Sequence, residues 1–261
     1  MPKQEDYLHM TPSLTKPLIA IVCVVVVLFA AFALLSHPSH PGLSPHSLVG
    51  RPVPYSTVEQ ELSSLSHRMI GLTGGTAAKP LKGQKIWRTD GRLTVFYLGA
   101  EYCPFCAAER WPLLLALDRF GSFHGLTYMQ SSSTDVFPGT STFSFAKATY
   151  SSPYVKFLPV ETYTNVEIGG TYPTLQHPDQ QELNIYHSID PSGSIPFVDV
   201  GNRYAWIGSG YSPSTLAGLS WSQIISDIRS GNSIGKIIYA NANRITAAIC
   251  SLDGGKPRNV C

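Results

Sequence analysis

Residues 93–111 read LTVFYLGAEYCPFCAAERW, and the fold of the surrounding chain turns on them. Leu93 to Leu98 is a continuous apolar run of strand length, the pattern of a strand covered on both faces. Gly99 to Tyr102 interrupt it, and Cys103-Pro104-Phe105-Cys106 open a helix-like stretch. Proline suits the first helical position, where its missing N–H would be unpaired anyway and its φ is already helical. In a first helical turn, two thiols at C-x-x-C spacing lie close enough to bridge, and the helix N-terminus stabilises a thiolate on the first. The spacing predicts a reactive dithiol, with Cys103 as nucleophile and Cys106 as resolving thiol.

Upstream, Lys85 to Trp87 pairs with the apolar run across an Asp90-Gly91 turn. Thr57 to Met69 carries Val58, Leu62, Leu65 and Met69 at helical spacing, with Ser56 or Thr57 as cap. Downstream, a helix runs from Cys103 through Trp111, Leu114 and Leu117 to Phe120, with Pro112 as an internal kink and Gly121 as the stop. Leu126 to Gln130 reads as the next strand, which makes a βαβ unit with parallel strands. Ser131 to Ser194 is poorly periodic, with an extended stretch at Val155 to Val160 and a short helix at Pro178 to Ile189. Ile195 to Val200 and Arg203 to Ile207 form a hairpin across Gly201-Asn202. Helices follow at Trp221 to Ile228 and Ile234 to Ile249. The fold class is α/β.

The formal charge is only +2 and the basic residues are scattered, so no stripe for nucleic acid is present. Residues 17–35, PLIAIVCVVVVLFAAFALL, carry no charge and at 1.5 Å per residue match the ~30 Å of bilayer hydrocarbon. They read as an uncleaved single-pass transmembrane helix; a cleaved signal ending at Ala31-Phe32-Ala33 is the alternative. Lys3 and Lys16 precede it, which places residues 1–16 in the cytoplasm and the rest outside, at the cell membrane. Residues 36–54 are rich in Pro, His and Ser, the composition of a solvated linker, and residues 55–261 form the extracytoplasmic domain. His37, His40 and His46 read as linker polarity, and Cys23 as an apolar filler. Cys250 and Cys261 bracket a turn-rich terminus and invite a structural disulfide, the alternative being two free thiols; persistent disulfides belong to oxidising compartments. Metal binding at the dithiol lacks a second pair of ligands at metal spacing, and no cofactor is expected.

The dithiol after a core strand, the βαβ unit and the later Ile195-Pro196 before a hairpin together resemble the thioredoxin superfamily. The whole chain, from anchor to terminal ICSLDGGKPRNVC, looks like a membrane-tethered thioredoxin-like family catalogued as a domain of unknown function. The resemblance implies a central mixed sheet flanked by helices, with an insert at about 132–194. It implies that Pro196 is cis and faces the dithiol, leaving the Ile195 backbone free to pair with an extended substrate. Two departures stand out. Tyr97 occupies the position where thioredoxin carries a buried Asp, and the interval from Cys106 to Pro196 is long, as in the larger bacterial disulfide-forming (DsbA-like) oxidoreductases.

The expected activity is thiol–disulfide exchange on protein or peptide substrates, oxidising or isomerising more than reducing. A membrane quinone-linked thiol oxidase is the partner the resemblance implies. The alternative is a binding or structural module in which Cys103–Cys106 is only a staple.

Overall fold

The computed structural model describes residues 47–261; the span at 17–35, Cys23 and the three linker histidines lie outside them. Strands β1 (Lys79–Pro80), β2 (Arg88–Thr89) and β3 (Arg92–Gly99) lead into helix α2 (Pro104–Asp118), which follows the short helix α1 (Gln60–Ser66) in the chain. Then come β4 (Ser122–His124), β5 (Thr127–Gln130), β6 (Ser141–Ser144), β7 (Thr149–Ser151), β8 (Val155–Glu161) and α3 (Gln180–Ile189). The chain ends with β9 (Phe197–Val200), β10 (Tyr204–Ile207), α4 (Trp221–Ser230) and α5 (Ser233–Asp253). Among the described residues no helix is long and apolar enough to cross a membrane.

A six-stranded mixed sheet organises the domain: β1, β10, β9, β3 and β2 follow in order, and β8 also pairs with β3. β3 runs parallel to β8 from Leu93↔Val155 to Gly99↔Glu161 and antiparallel to β9. Both faces of β3 are buried, which explains its unbroken apolar sequence. Leu93, Val95 and Tyr97 join the core that holds α2 and α5, whereas Phe96 and Leu98 face a second cluster with Trp87, Phe197 and the α3 residues Tyr186 and Ile189. Asp90 and Gly91, both at positive φ, make the two-residue turn from β2 to β3.

The parallel partner of β3 differs from the sequence expectation. Thr127–Gln130 instead pairs antiparallel with Ser141–Ser144 in a separate two-stranded sheet. A central strand needs two apolar faces, and Thr127 and Tyr128 are half-exposed, whereas Val155, Phe157 and Val160 of β8 are buried. The β5–β6 hairpin covers α2 instead, with the rings of Trp111 and Phe143 packed edge to face at 5.0 Å. The stretch 132–194 is therefore no single insert, because β8 passes through the main sheet in its middle. The folded part also starts before residue 55: the backbone N–H groups of Gly50 and Val53 donate to the Tyr128 and Leu126 carbonyls, and Val53 is buried.

Every residue of α2 except Phe105 is buried, so this is an inner helix rather than an amphipathic surface one. α5 packs along it, α4 packs on α5, and Gly231 in the left-handed conformation stops α4. Cys250, in the last turn of α5, forms a disulfide with Cys261, their Cα atoms 5.5 Å apart, and Val260 is tucked against the core.

Candidate functional site

Cys103 is the N-cap of α2. Its sulfur accepts a hydrogen bond from the Cys106 backbone N–H at 3.2 Å, and Pro104 fills the first helical position. An orphan amide of the first turn and the positive end of the helix dipole thus both meet the Cys103 sulfur. Cys103 is 5% exposed and Cys106 is fully buried, and both are free thiols here. The Cys106 thiol hydrogen-bonded to it pulls the Cys103 pKa below that of an ordinary cysteine, against the burial that opposes it, with help from backbone amides and the Arg110 charge. Burial pushes the Cys106 thiol well up, and the neighbouring Cys103 sulfur adds to this. Of the two sulfurs, Cys103 is the more readily deprotonated and Cys106 holds its proton.

Ala100, Cys103 and Cys106 form a small buried cluster of their own, against which Tyr102 and Ile195 pack. The Ile195–Pro196 peptide bond is cis, and the Pro196 carbonyl accepts from the Gly208 N–H at 2.8 Å. The sequence-predicted residues Cys103, Cys106 and Ile195 are thus brought together, with Pro196 next in the chain; Cys250 and Cys261 lie apart, at the end of α5.

The turn that carries the dithiol is held from several sides. Glu101 N–H donates to the Tyr163 carbonyl, Ser132 N–H to the Tyr102 carbonyl, and Thr162 N–H to the Gly99 carbonyl. Around the opening stand aromatic rings: Tyr102 stacks on Tyr172 at 4.2 Å, and the exposed Phe105 meets Phe137 edge-on at 5.9 Å. A cavity of about 360 Å³ beside the dithiol is lined by Tyr102, Tyr163, His177, Tyr186, His187 and Ile195, among others, with no Lys, Arg, Asp or Glu in its walls. Of the tyrosines in the aperiodic stretch, Tyr163 and Tyr172 stand at this opening, whereas Tyr150 and Tyr154 pack on the core.

Beneath the pair lies Tyr97, buried, its hydroxyl without a hydrogen-bond partner among the described residues and kept neutral because burial raises its pKa well above the usual phenol value. Arg110, one turn beyond Cys106, is buried in a bidentate pair with Glu161: Nε donates to Oε1 at 2.8 Å and Nη2 to Oε2 at 2.6 Å. Glu109 turns elsewhere and accepts from the Gly210 N–H at 2.8 Å, and burial raises its pKa to about 8. Glu101 accepts from the Ser144 hydroxyl.

Sequence reading had not found Glu161, Tyr186 or the pairing that holds Arg110. One signal was available: an arginine in a helix whose neighbours are mostly apolar is buried and must find a carboxylate. Which carboxylate depends on β8 being the parallel neighbour of β3, and that is a long-range fact.

Fold and site together define a mixed α/β domain that presents a buried dithiol at the start of its inner helix. The family described as Domain of unknown function (DUF929) matches residues 84–175 and 187–251, more than half of the chain, and the protein belongs to that family. No curated protein and no solved structure matches the chain.

Proposed function

We propose that this protein is a membrane-tethered, extracytoplasmic thiol–disulfide oxidoreductase of thioredoxin-like fold. It uses the Cys103–Cys106 pair to oxidise protein dithiols to disulfides or to isomerise protein disulfides, rather than to reduce them. The observation that carries this reading is the asymmetry of the two thiols. The nearer sulfur caps a helix and favours the thiolate, while the deeper one is fully buried and keeps its proton. A structural staple has no need of that difference. The order β8, β3, β9, β10 with the dithiol helix leaving β3, and the Ile195-Pro196 segment packed beside the sulfurs, support the thioredoxin-like reading.

In the oxidising direction a substrate thiolate attacks Cys103 of the disulfide, and the Cys106 sulfur leaves and takes up a proton. A second substrate thiol then attacks the substrate sulfur of the mixed disulfide and releases Cys103 as thiolate. Two substrate thiols are thereby joined, and the pair has gained two electrons. Return to the disulfide needs an electron acceptor, for which a membrane quinone-linked thiol oxidase is the partner of suitable class. The 360 Å³ cavity, walled by aromatic rings with no Lys, Arg, Asp or Glu among the described residues that line it, suits an extended peptide beside the sulfurs.

The test uses the full-length chain in mild detergent with a reduced dithiol peptide. Cys103→Ser abolishes exchange, and Cys106→Ser accumulates a mixed disulfide through Cys103. A potential near ~−120 mV supports disulfide donation, near ~−270 mV a reductase, and resistance to reduction below ~−300 mV a staple.

A further inference from the structure

Arg110 is buried, paired and close to chemistry that a structural ion pair would not require. Its Nη2 donates not only to Glu161 but also to the Ala100 carbonyl at 2.8 Å, and that same carbonyl accepts from the Cys103 N–H at 3.3 Å. One oxygen therefore links the guanidinium to the backbone of the nucleophilic cysteine. The remaining nitrogen, Nη1, is buried and makes no hydrogen bond among the described residues, and the guanidinium carbon lies 5.8 Å from the centroid of the Tyr97 ring. Glu161 closes the other side at the end of β8, where its own N–H is held by Gln176 Oε1 at 2.8 Å. The anchor is rigid, because a fork of two parallel hydrogen bonds fixes the plane of the guanidinium.

We propose that Arg110 is a positioning residue which, anchored by Glu161, fixes the Ala100–Cys103 turn and lends the reduced pair its positive charge, so that the Cys103–Cys106 disulfide accepts electrons more readily. The inference rests on the reading that this pair exchanges with substrates, and adds what sets its direction. The chemical step is the reduction of the pair: the Cys103–Cys106 bond breaks, two substrate thiols become one substrate disulfide, Cys106 keeps one proton, and Cys103 remains thiolate with the other proton released. A charge that stabilises this thiolate stabilises the reduced form, and stabilising the reduced form makes the disulfide the stronger oxidant. Arg110 is the charged side chain among the leading influences on both sulfurs, and it favours the thiolate at each. The other titratable groups around the pair are Tyr97 from β3, Tyr102 and Glu101 from the turn and Tyr186 from α3, with Tyr163, His177 and His187 in the adjoining cavity and Glu161 paired to the guanidinium. Burial raises the pKa of Tyr97, Tyr102 and Tyr186, so these three are neutral near pH 7, and Arg110 is the cation that acts on both sulfurs.

The experiment compares full-length wild-type protein with two variants of opposite sign. Arg110→Met/Glu161→Gln removes both charges while keeping volume, and Glu161→Gln alone removes the counter-charge and keeps the guanidinium. Glutathione redox equilibria are read by alkylation mass shift, with the pH dependence of Cys103 alkylation alongside. For the double variant the equilibrium shifts at least tenfold toward the disulfide, about 30 mV, and the alkylation midpoint rises. For Glu161→Gln both move the other way, a pattern that general loosening does not produce; this variant keeps the test alive if the double variant does not fold. Folded variants whose potential and midpoint match wild type overturn the proposal while leaving exchange intact. A wild-type pair that glutathione cannot reduce overturns the exchange reading and this one with it.

Discussion

The chemistry of the two thiols is decided by about one turn of helix. Cys103 and Cys106 are the same residue type three positions apart, yet one sulfur receives a first-turn amide and the other is sealed inside the helix. The consequence is differential reactivity. In the reduced full-length protein at pH 7, Cys103 reacts with iodoacetamide at least about tenfold faster than Cys106, since thiolate fraction and access both favour it. Peptide mass mapping after timed alkylation measures this, and equal rates at the two sites would sink the assignment of nucleophile and resolving thiol. Tyr97 makes a second prediction at this scale. Its buried hydroxyl has no partner among the described residues, so burying it brings a desolvation cost with no hydrogen bond in return. Tyr97→Phe is therefore neutral or stabilising by up to ~1 kcal/mol in a denaturant melt, whereas a loss larger than that would mean that the hydroxyl has found an acceptor such as Cys106.

At the scale of elements, what was legible and what was not divides along the range of the interactions. The β2–β3 turn, α2 with its proline and dithiol, the β9–β10 hairpin and the Gly231 break between α4 and α5 are all written in local signals, and each stands within a few residues of its expected place. The partner of β3 is not local. Leu126 to Gln130 and Val155 to Val160 both read as extended, and choosing between them requires knowing that the central position is covered on two faces. The ion pair between Arg110 and Glu161 inherits that choice, which is why half of it went unseen. Tyr102 and Tyr186 were likewise hidden, because nothing local says which way an aromatic at a strand-to-helix junction or on a short helix faces. Two element-scale predictions follow from the geometry of the ends. Ser220 caps α4 in a reciprocal box with Gln223, so Ser220→Ala lowers stability by about 1 kcal/mol, read as a shift of denaturation midpoint at unchanged slope. The bridge from Cys250 to Cys261 spans a sequence separation of 11. Closing so short a loop restricts the unfolded chain modestly, so Cys250→Ser costs about 3 kcal/mol while thiol exchange at Cys103 persists; a folded variant without exchange would make the bridge part of the electron path.

At the scale of the whole molecule, acidic side chains buried without a cation give the stability of the domain a definite pH dependence. Asp199, in the middle of the sheet, accepts from the Asn202 N–H through Oδ1 while Oδ2 has no partner among the described residues, and burial raises its pKa to about 7. Glu109 reaches about 8 for the same reason, and burial pushes Asp118 well up too, with Glu59 nearby adding to it. In each case the folded protein holds a proton that the unfolded chain, with ordinary carboxylate values near pH 4, has already released. Between those limits the native state binds more protons than the unfolded state, so stability falls as pH rises. For Asp199 and Glu109 the favourable contribution is complete below about pH 4 and is lost as pH rises through about 7 and about 8. Thermal unfolding of the full-length protein in a pH series from 5 to 9 therefore shows Tm declining toward alkaline pH. The double variant Asp199→Asn/Glu109→Gln keeps an oxygen acceptor for each backbone amide and cannot ionise at either site, so its Tm changes less over the same range. The comparison to make is of slopes, since each amide substitution also alters packing at its own site. A wild-type Tm that is flat or rising between pH 5 and 8 would show that these carboxyls are charged and compensated in the native state. The Glu109 contact adds a link from stability to the site: Glu109 ties the dithiol helix to Gly210, and Gly208 is tied to the Pro196 carbonyl. Ionisation of Glu109 places an uncompensated charge at the joint between α2 and the proline segment. Amide protection at Gly208 and Gly210, followed by hydrogen exchange after correction for the intrinsic rate, drops as pH passes about 8 in wild type and is retained in Glu109→Gln.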